Sequence, residues 1–260
     1  LPTYDRDGGF DQSIATTVTF GEDLTDVDFG FAQPVSAGDL VWNDLNGNWA
    51  PDPGEPGHAG LTVTLTGPMG PNSTTATVVT DASGNYSFTG LLPGDYSVSV
   101  DESGLPASAY SSTGGNTLTR TLASGDNDVS FDFGYVNPAS IGDVVWHDLD
   151  GDGTQDPGEP EVSGVVVNLT GPSGPLTTTT AADGSYLFSS LDPGSYTVTV
   201  DPGTVPAGSQ SSTGGDSQTL TVESDDHIDS VDFGYYAPSD LGDVVFEDVK
   251  GNGAQDPGEP

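Results

Sequence analysis

An internal repeat constrains the possible folds of this 260-residue chain more than any other feature. The word Gly-Asp-Leu-Val-Trp at 38–42 returns as Gly-Asp-Val-Val-Trp at 142–146 and as Gly-Asp-Val-Val-Phe at 242–246. Two further words keep the same spacing: Asp-Phe-Gly at 28–30, 132–134 and 232–234, and Ser-Ser-Thr-Gly-Gly at 111–115 and 211–215. A period of about 100 residues is too long for a solenoid and favours independently folded domains in tandem.

The phase of the repeat predicts the domain boundaries. Residues 36–137 and 138–237 each contain one complete unit, whereas residues 1–35 hold the end of a preceding unit and residues 238–260 the start of a following one. Because both ends fall inside a unit, we expect the chain to be a window of a longer array. The joints are short and contain proline, which fixes φ, so we expect a rod rather than a flexible string of domains.

Short runs of alternating apolar and small polar residues predict the secondary structure. Leu61, Val63 and Leu65, for example, alternate with threonines. This period of two is typical of half-buried β-strands. In the first complete unit it predicts seven strands, at 39–43, 61–66, 74–80, 86–91, 95–100, 116–122 and 128–135. Seven short strands favour an all-β fold in which each unit is a two-sheet Greek-key sandwich.

The charge of the chain restricts its partners. Forty acidic residues against three basic ones give a formal net charge of -37. So few cations cannot neutralise phosphates, which excludes nucleic-acid binding, and an anionic membrane surface would repel the chain. No apolar run approaches the roughly 20 residues of a membrane-spanning helix, and the absence of cysteine excludes disulfides and thiolate metal sites. Since folding brings the carboxylates closer together, we expect a bound cation.

An acidic loop with the spacing of a twelve-residue calcium loop follows the first strand of each unit. In the second complete unit, positions 1, 3, 5, 7, 9 and 12 are Asp148, Asp150, Asp152, Thr154, Asp156 and Glu159. Calcium takes six to eight oxygen ligands, and this spacing offers carboxylates, a main-chain carbonyl at position 7 and a bidentate glutamate at position 12. A strand precedes the loop and prolines follow it, which predicts an EF-hand-like calcium loop without flanking helices.

The other two loops are variants of the same pattern. The first complete unit has Asp44, Asn46, Asn48, Ala50, Asp52 and Glu55 at these positions, and the last unit has Asp248, Asn252, Ala254, Asp256 and Glu259. Asparagine lowers the charge of the first loop, which predicts weaker affinity. Trp49 replaces glycine at position 6 and predicts a strained or altered turn. Lys250 occupies position 3 of the last loop, where it either opposes a metal or points outward.

Other residues of interest have alternative explanations. Asp5, Asp7 and Asp11 have calcium-like spacing, and Asp39, Asp143 and Asp243 recur five residues before the loops and could ligate a second ion. Roles in turns and caps explain these acids equally well. The Asp-Phe-Gly words are expected to be structural, since no glycine-rich nucleotide loop or His-Arg-Asp motif of a kinase accompanies them.

Several words of the second unit together resemble the calcium-binding B repeat of serine-aspartate-repeat surface adhesins. They are Ile141–Trp146 with its acidic loop, Ala182–Phe188, Pro193–Tyr196 and Val231–Tyr235, and the resemblance covers essentially the whole chain. It implies an immunoglobulin-like sandwich of the prealbumin or collagen-adhesin B (CnaB) type, calcium in the acidic loops and an extracellular location. Related domains often carry a Lys–Asn isopeptide bond. Since the only lysine here is Lys250, calcium is expected to stiffen the two complete units alone.

These observations favour a non-catalytic, calcium-stabilised stalk or filament segment of a secreted or cell-surface protein. Its expected partners are Ca²⁺, neighbouring repeats of the same chain and, in a filament, like chains. One alternative is an adhesin module that binds a host or matrix protein or a glycan, for which Trp49 is the one candidate aromatic. Another is a spacer within a larger secreted enzyme.

Overall fold

The computed structural model describes residues 3–4, 30–69, 74–239, 242–243 and 245–258. Within these ranges the chain forms twenty β-strands and one 3-10 turn, Glu102–Gly104. The first two strands, β1 (Thr3–Tyr4) and β2 (Gly30–Phe31), pair antiparallel. In the same part of the chain, no helix is long and apolar enough to cross a membrane.

The remaining strands form two sets with the same order. The first set, here called the first sandwich, consists of β3 (Val35–Asn43), β4 (Thr62–Thr66), β5 (Thr75–Val79), β6 (Asn85–Leu91), β7 (Gly94–Val100), β8 (Tyr110–Ser111), β9 (Thr117–Leu122), β10 (Asn127–Asp128) and β11 (Phe133–Val136). The second sandwich consists of β12 (Ala139–His147), β13 (Val166–Thr170), β14 (Leu176–Thr179), β15 (Ser185–Leu191), β16 (Gly194–Val200), β17 (Gln210–Ser211), β18 (Ser217–Val222), β19 (His227–Ile228) and β20 (Phe233–Tyr236).

Each sandwich consists of two sheets, between which the chain crosses repeatedly. In the first sandwich, β3 pairs antiparallel with β6 and parallel with β10 and β11, and β11 also pairs with β8. The opposite sheet is antiparallel, in the order β5-β4-β7-β9. The second sandwich repeats both sheets, with β12 in the place of β3 and the order β14-β13-β16-β18. The predicted all-β fold of tandem immunoglobulin-like sandwiches is confirmed.

The alternating residues account for the cores. Val63 and Leu65 of β4 are buried, whereas the threonines between them lie on the outer face. Each sandwich has its own cluster of buried apolar side chains, contributed by both sheets. The period of two in the sequence therefore corresponds to one buried face per strand, as a two-layer fold requires.

The Asp-Phe-Gly words at 132–134 and 232–234 have a structural role, whereas most of the word at 28–30 lies outside the described residues. Phe133 is fully buried in the first core. The next residue, Gly134, lies so close to Trp42 that an added Cβ would come within 2.7 Å of the Trp42 ring, and Gly234 has the same relation to Trp146. Glycine is therefore needed for the close packing of the last strand against the tryptophan of the first strand.

Two details of the strand prediction are wrong. The predicted strand 128–135 is broken into β10 and β11, because the Asp128 carboxylate accepts hydrogen bonds from the amide (2.9 Å) and the hydroxyl (2.5 Å) of Ser130 and turns the chain out of the ladder. The strand predicted at 39–43 begins at Val35, where the chain pairs with Leu91. The two-residue strand β8 was not predicted, since two residues carry no periodic signal.

Replacing a core residue tests this packing. Phe133→Ala should lower the free energy of unfolding of the first sandwich by about 3–5 kcal/mol, because it leaves a cavity between the sheets. Val129→Ala, at a side chain that is 58% exposed, serves as the control and should cost little. Chemical denaturation in excess calcium measures both, and equal losses would contradict the assigned core.

Candidate metal centre

The acidic loops begin where the first strand of each sandwich ends. Asp44 and Asp148, at position 1, are fully buried. The amide of Asp44 donates to the Tyr135 carbonyl at 2.8 Å, and the amide of Asp148 donates to the Tyr235 carbonyl at 3.0 Å. The first carboxylate of each loop is therefore anchored to the last strand of the same sandwich.

Main-chain amides curl the second loop around its carboxylates. Asp148 accepts from the amides of Gly151 (2.6 Å) and Gly153 (2.8 Å). Asp152 accepts from the amide of Thr154 at 2.7 Å. This curl brings carboxylate oxygens of Asp148, Asp150 and Asp152 within 4.8 Å of one another. The predicted residues at positions 1, 3 and 5 thus converge on one point.

The glutamate at position 12 closes the loop. One Glu159 oxygen accepts from the amide of Leu149 at 2.6 Å, and the other accepts from the amide of Asp156 at 2.9 Å. Glu55 makes the same two bonds in the first loop, to the amides of Leu45 (2.8 Å) and Asp52 (2.9 Å). The sequence predicted the position of this residue but not that it ties positions 2 and 9 together.

The electrostatics of the second loop favour a cation. Burial raises the pKa of Asp148, but the nearby Ser212 side chain and hydrogen bonds from the loop amides outweigh it and hold the pKa below its ordinary value. The amide of Asp152 lowers the pKa of Asp150, but desolvation and the charges of Asp152, Asp148 and Glu159 raise it overall. The cluster therefore stays ionised at its centre and repels itself, as expected of a site whose counter-charge is a bound ion.

The first loop has the same curl with fewer charges. Its position-1 carboxylate accepts from the amides of Asn48 (3.2 Å) and Trp49 (3.0 Å). The side-chain amides of Asn46 (2.8 Å) and Asn48 (2.6 Å) both donate to one oxygen of Asp52. Trp49 adopts φ 71°, close to the 82° of Gly153, so the predicted strained turn is present. To hold calcium, both asparagines would turn their amide oxygens toward the ion.

The third loop contains its own cation. The Lys250 ammonium lies 3.0 Å from the Asp256 carboxylate, so it points into the loop rather than outward. Asp248 accepts from the amides of Asn252 (3.1 Å) and Gly253 (2.7 Å), and the Asn252 side chain donates to Asp256 at 2.8 Å. The predicted ligand Glu259 lies outside the described residues.

The oxygen donors of the second loop fit a hard divalent cation such as calcium. Asp148, Asp150 and Asp152 converge, and Asp156 and Glu159 join the same loop through the Glu159 carboxylate. Thr154 is tied to the cluster through its amide. Calcium bound there would supply the positive charge that the carboxylates lack. In the first loop, Asp44, Asp52, Glu55 and the two asparagines are similarly grouped, and Ala50 donates its amide to Asn48 at 2.9 Å.

A serine that the sequence did not assign supports the loop. The Ser212 side chain helps to lower the pKa of Asp148, and the Ser212 carbonyl lies 3.0 Å from the place of a Cβ on Gly153. Ser212 belongs to the recurrent Ser-Ser-Thr-Gly-Gly word. The recurrence of that word was the available signal, but only the fold shows that it lies against the loop.

The other recurrent acids have different surroundings. Asp39 lies beside Asp132, and Asp143 lies beside Asp232, so the first strand and the residue just before the last strand form a carboxyl pair in each sandwich. Burial, followed by the charge of Asp39, raises the pKa of Asp132 to about 6. Burial, followed by the hydrogen bond with Asp232, raises the pKa of Asp143 to about 6.

Four other aspartates, Asp81, Asp101, Asp183 and Asp201, accept hydrogen bonds from nearby amides and cap turns. Asp5, Asp7 and Asp11 lie outside the described residues.

Sequence comparison relates this chain to a known domain family. The profile of the SdrD B-like domain matches residues 35–135 and 139–234. Serine-aspartate repeat-containing protein D of Staphylococcus aureus (strain Newman) is 38% identical over 256 residues, covering 91% of this chain. Serine-aspartate repeat-containing protein F of Staphylococcus epidermidis is 34% identical and covers 98% of it. The chain spans only 19% and 16% of these two relatives.

Solved structures give weaker likenesses. The minor pilin GBS52 of Streptococcus agalactiae is 11% identical with a TM-score of 0.34, over 82% of this chain and all of that one. The Bacillus anthracis TIE protein is 13% identical with the same score, over 79% of this chain and 34% of that one. The relationship to the family therefore rests on the sequence matches.

Exchanging the charges of the two loops tests their order of affinity. Asp150→Asn with Asp152→Asn should weaken calcium binding by the second loop about tenfold or more, since two of its carboxylates are lost. The reciprocal Asn46→Asp with Asn48→Asp should strengthen the first loop. Isothermal titration calorimetry measures both. Unchanged affinities would show that these positions do not face an ion.

The carboxyl pairs predict a pH dependence. Because the folded pKa values of Asp132 and Asp143 (about 6) lie above the ordinary aspartate value of 3.8, protonation favours the folded state. Their contribution is complete below about pH 4 and is lost as the pH rises through 6. Asp132→Asn with Asp143→Asn should therefore flatten this part of the stability curve.

The measurement is the melting temperature of both proteins between pH 4 and 8 at constant ionic strength. The loop carboxylates are identical in the two proteins. Subtracting one melting curve from the other therefore removes their contribution to the pH dependence. A difference in melting temperature that stays constant across this pH range would contradict the raised pKa values of Asp132 and Asp143.

Proposed function

The chain belongs to the SdrD B-like domain family, and on that premise we propose that it is a calcium-stabilised, non-catalytic stalk segment. Its relatives are surface proteins, and the chain is accordingly an extracellular segment. The observation that carries the calcium part of the proposal is the convergence of Asp148, Asp150 and Asp152 within 4.8 Å. In the first and third loops, side-chain donors of the protein itself, Asn46, Asn48 and Lys250, reach the position-9 carboxylate instead.

We infer that residues 36–137 and 138–237 are the repeating units of this stalk. The separate core clusters and the two family matches support these boundaries. Residues 1–35 and 238–260 are, in this proposal, parts of the preceding and following units. Neighbouring units are then the principal protein partners of each unit, and like chains are the partners in a filament.

Calcium stabilises such a stalk by linkage. An ion that binds only the folded state stabilises it by about 2.7 kcal/mol per site at a hundredfold excess over Kd. Extracellular calcium modules typically bind at about 10⁻⁴–10⁻³ M, so the sites fill outside the cell. With a net charge of -37 the folded chain also gains from any bound cation that reduces its self-repulsion.

Removing calcium should destabilise the sandwiches. We expect a chelator to lower the melting temperature by about 10 °C or more, since 1 kcal/mol shifts the midpoint of a 100-residue domain by about 4–8 °C. Protease sensitivity should rise at the same time. Differential scanning calorimetry with calcium at about a hundredfold excess over Kd, or with chelator, measures the shift at matched ionic strength.

Two controls separate specific binding from charge screening. Sodium chloride at the ionic strength of the calcium buffer should not restore the melting temperature. Asp148→Asn with Asp152→Asn should abolish the response of the second sandwich while the first still responds. Identical melts with calcium and with chelator would overturn the proposed function.

One exposed aromatic favours a second candidate function. Trp49 is 71% exposed and, with Ser112, Thr113 and Gly114, lines an open groove of about 400 Å³. The corresponding position of the second loop is Gly153. A stalk needs no exposed tryptophan, so this groove favours binding of a glycan or a matrix protein. Loss of glycan-array signal in Trp49→Ala would support an adhesin module, and absence of binding by the unaltered chain would exclude glycan recognition.

A further inference from the structure

The first acidic loop is also the surface on which the second sandwich docks. Ser224, in the turn after β18, donates its amide to the Leu45 carbonyl at 2.8 Å and its hydroxyl to the Asn43 side chain at 2.8 Å. The same hydroxyl accepts from the amide of Asn137, in the linker, at 2.8 Å. Ser224 is only 5% exposed. One serine thus joins the first loop, the linker and the second sandwich.

A second contact flanks this serine. The Tyr110 hydroxyl of the first sandwich donates to the Asp192 carboxylate of the second at 2.5 Å. The neighbouring Pro193 ring lies 3.7 Å from the place of a Cβ on Gly47, at position 4 of the first loop. We call these contacts, together with those of Ser224, the joint.

Among the described residues, one contact of the joint recurs on the preceding side of the first sandwich. Ser124 accepts from the amide of Gln33 at 2.8 Å, as Ser224 does from Asn137. Ser124 itself is exposed. At the far end, Leu149 of the second loop is 64% exposed, whereas the equivalent Leu45 is partly covered. The second loop therefore presents the face that the first loop uses in the joint.

A short chain of bonds connects the joint to the metal centre. The Leu45 carbonyl accepts from Ser224, while the Leu45 amide donates to Glu55, the position-12 carboxylate. The other oxygen of Glu55 holds the amide of Asp52, at position 9. The hydrogen bond from Ser224 to Leu45 therefore also restrains Glu55 and Asp52, the predicted ligands at positions 12 and 9.

We propose that calcium binding by residues 44–55 and docking of the second sandwich at the joint are thermodynamically coupled, each favouring the other. This inference rests on the proposed function, since it assumes that the first loop binds calcium. Coupling is reciprocal: the factor by which docking raises the calcium affinity is also the factor by which calcium favours docking. Each unit of an array then completes the metal site of the unit before it, and calcium stiffens the joint as well as the sandwich.

Opening the joint without adding charge tests the coupling. Ser224→Gln with Tyr110→Phe places a larger neutral side chain at the buried serine and removes the hydroxyl that reaches Asp192. Ser124→Gln, at the exposed equivalent, is the matched control. Calcium titration followed by the emission of Trp49, which lies within the first loop, reports the affinity of that loop. Subtracting the emission of Trp49→Phe removes the contribution of the buried Trp42 and Trp146.

We expect the calcium affinity of the first loop to fall about fivefold or more in the double variant and to stay unchanged in Ser124→Gln. Small-angle X-ray scattering should show a wider spread of particle dimensions for the double variant, and for the unaltered chain in chelator. Unchanged first-loop affinity in an opened double variant would overturn the coupling. A joint that stays closed in the double variant would overturn the role of these contacts. Absence of calcium binding at either loop in the unaltered chain would instead remove the proposed function.

Discussion

Mutual repulsion between carboxylates at the end of the first strand is the constraint on which the rest of this structure depends. The fold buries Asp44 and Asp148 completely and gathers further oxygens around them. A buried charge without a partner costs several kcal/mol, so each loop needs a source of positive charge or of hydrogen bonds. Main-chain amides donate to the position-1 carboxylate in all three loops. Asparagine side chains and Lys250 reach the position-9 carboxylates of the first and third loops, whereas the second loop keeps an open cluster of carboxylates. The open cluster is the arrangement in which a calcium ion contributes most.

The place of the loop in the fold gives it a second role. In the first sandwich the loop joins β3 to the rest of the domain and lies at the end that meets the second sandwich. In the first sandwich the loop is bonded to Tyr135 of its own last strand and to Ser224 of the following sandwich. The conformation of the loop, the stability of the sandwich and the stiffness of the joint therefore depend on the same few main-chain hydrogen bonds. In the proposed stalk, one bound ion would therefore stabilise both a domain and its junction with the next.

Much of the fold and the outline of the candidate site could be predicted from local patterns. Alternation such as that of Val63 and Leu65 is a two-residue signal, and the 1-3-5-7-9-12 spacing of the loops is a twelve-residue signal. Features set by distant residues could not be predicted in this way. The break between β10 and β11 depends on whether Asp128 turns its carboxylate to Ser130, and the inward direction of Lys250 depends on the reach of one flexible side chain to Asp256. The carboxyl pairs join residues some ninety positions apart, a separation at which sequence spacing carries no information.

By itself, the sequence determined the repeat, the strand content, the excess of negative charge and the spacing of the acidic residues in the loops, because each is written in residue order and composition. The tertiary structure alone decided which oxygens converge, which acids are neutralised by the protein and which surface of one sandwich meets the next. Those outcomes depend on chain segments that approach only after folding, as Ser224 does with Leu45 and Asp132 with Asp39. Local sequence patterns specify the strands and loops. The repulsion between carboxylates that folding brings together favours a cation bound between them.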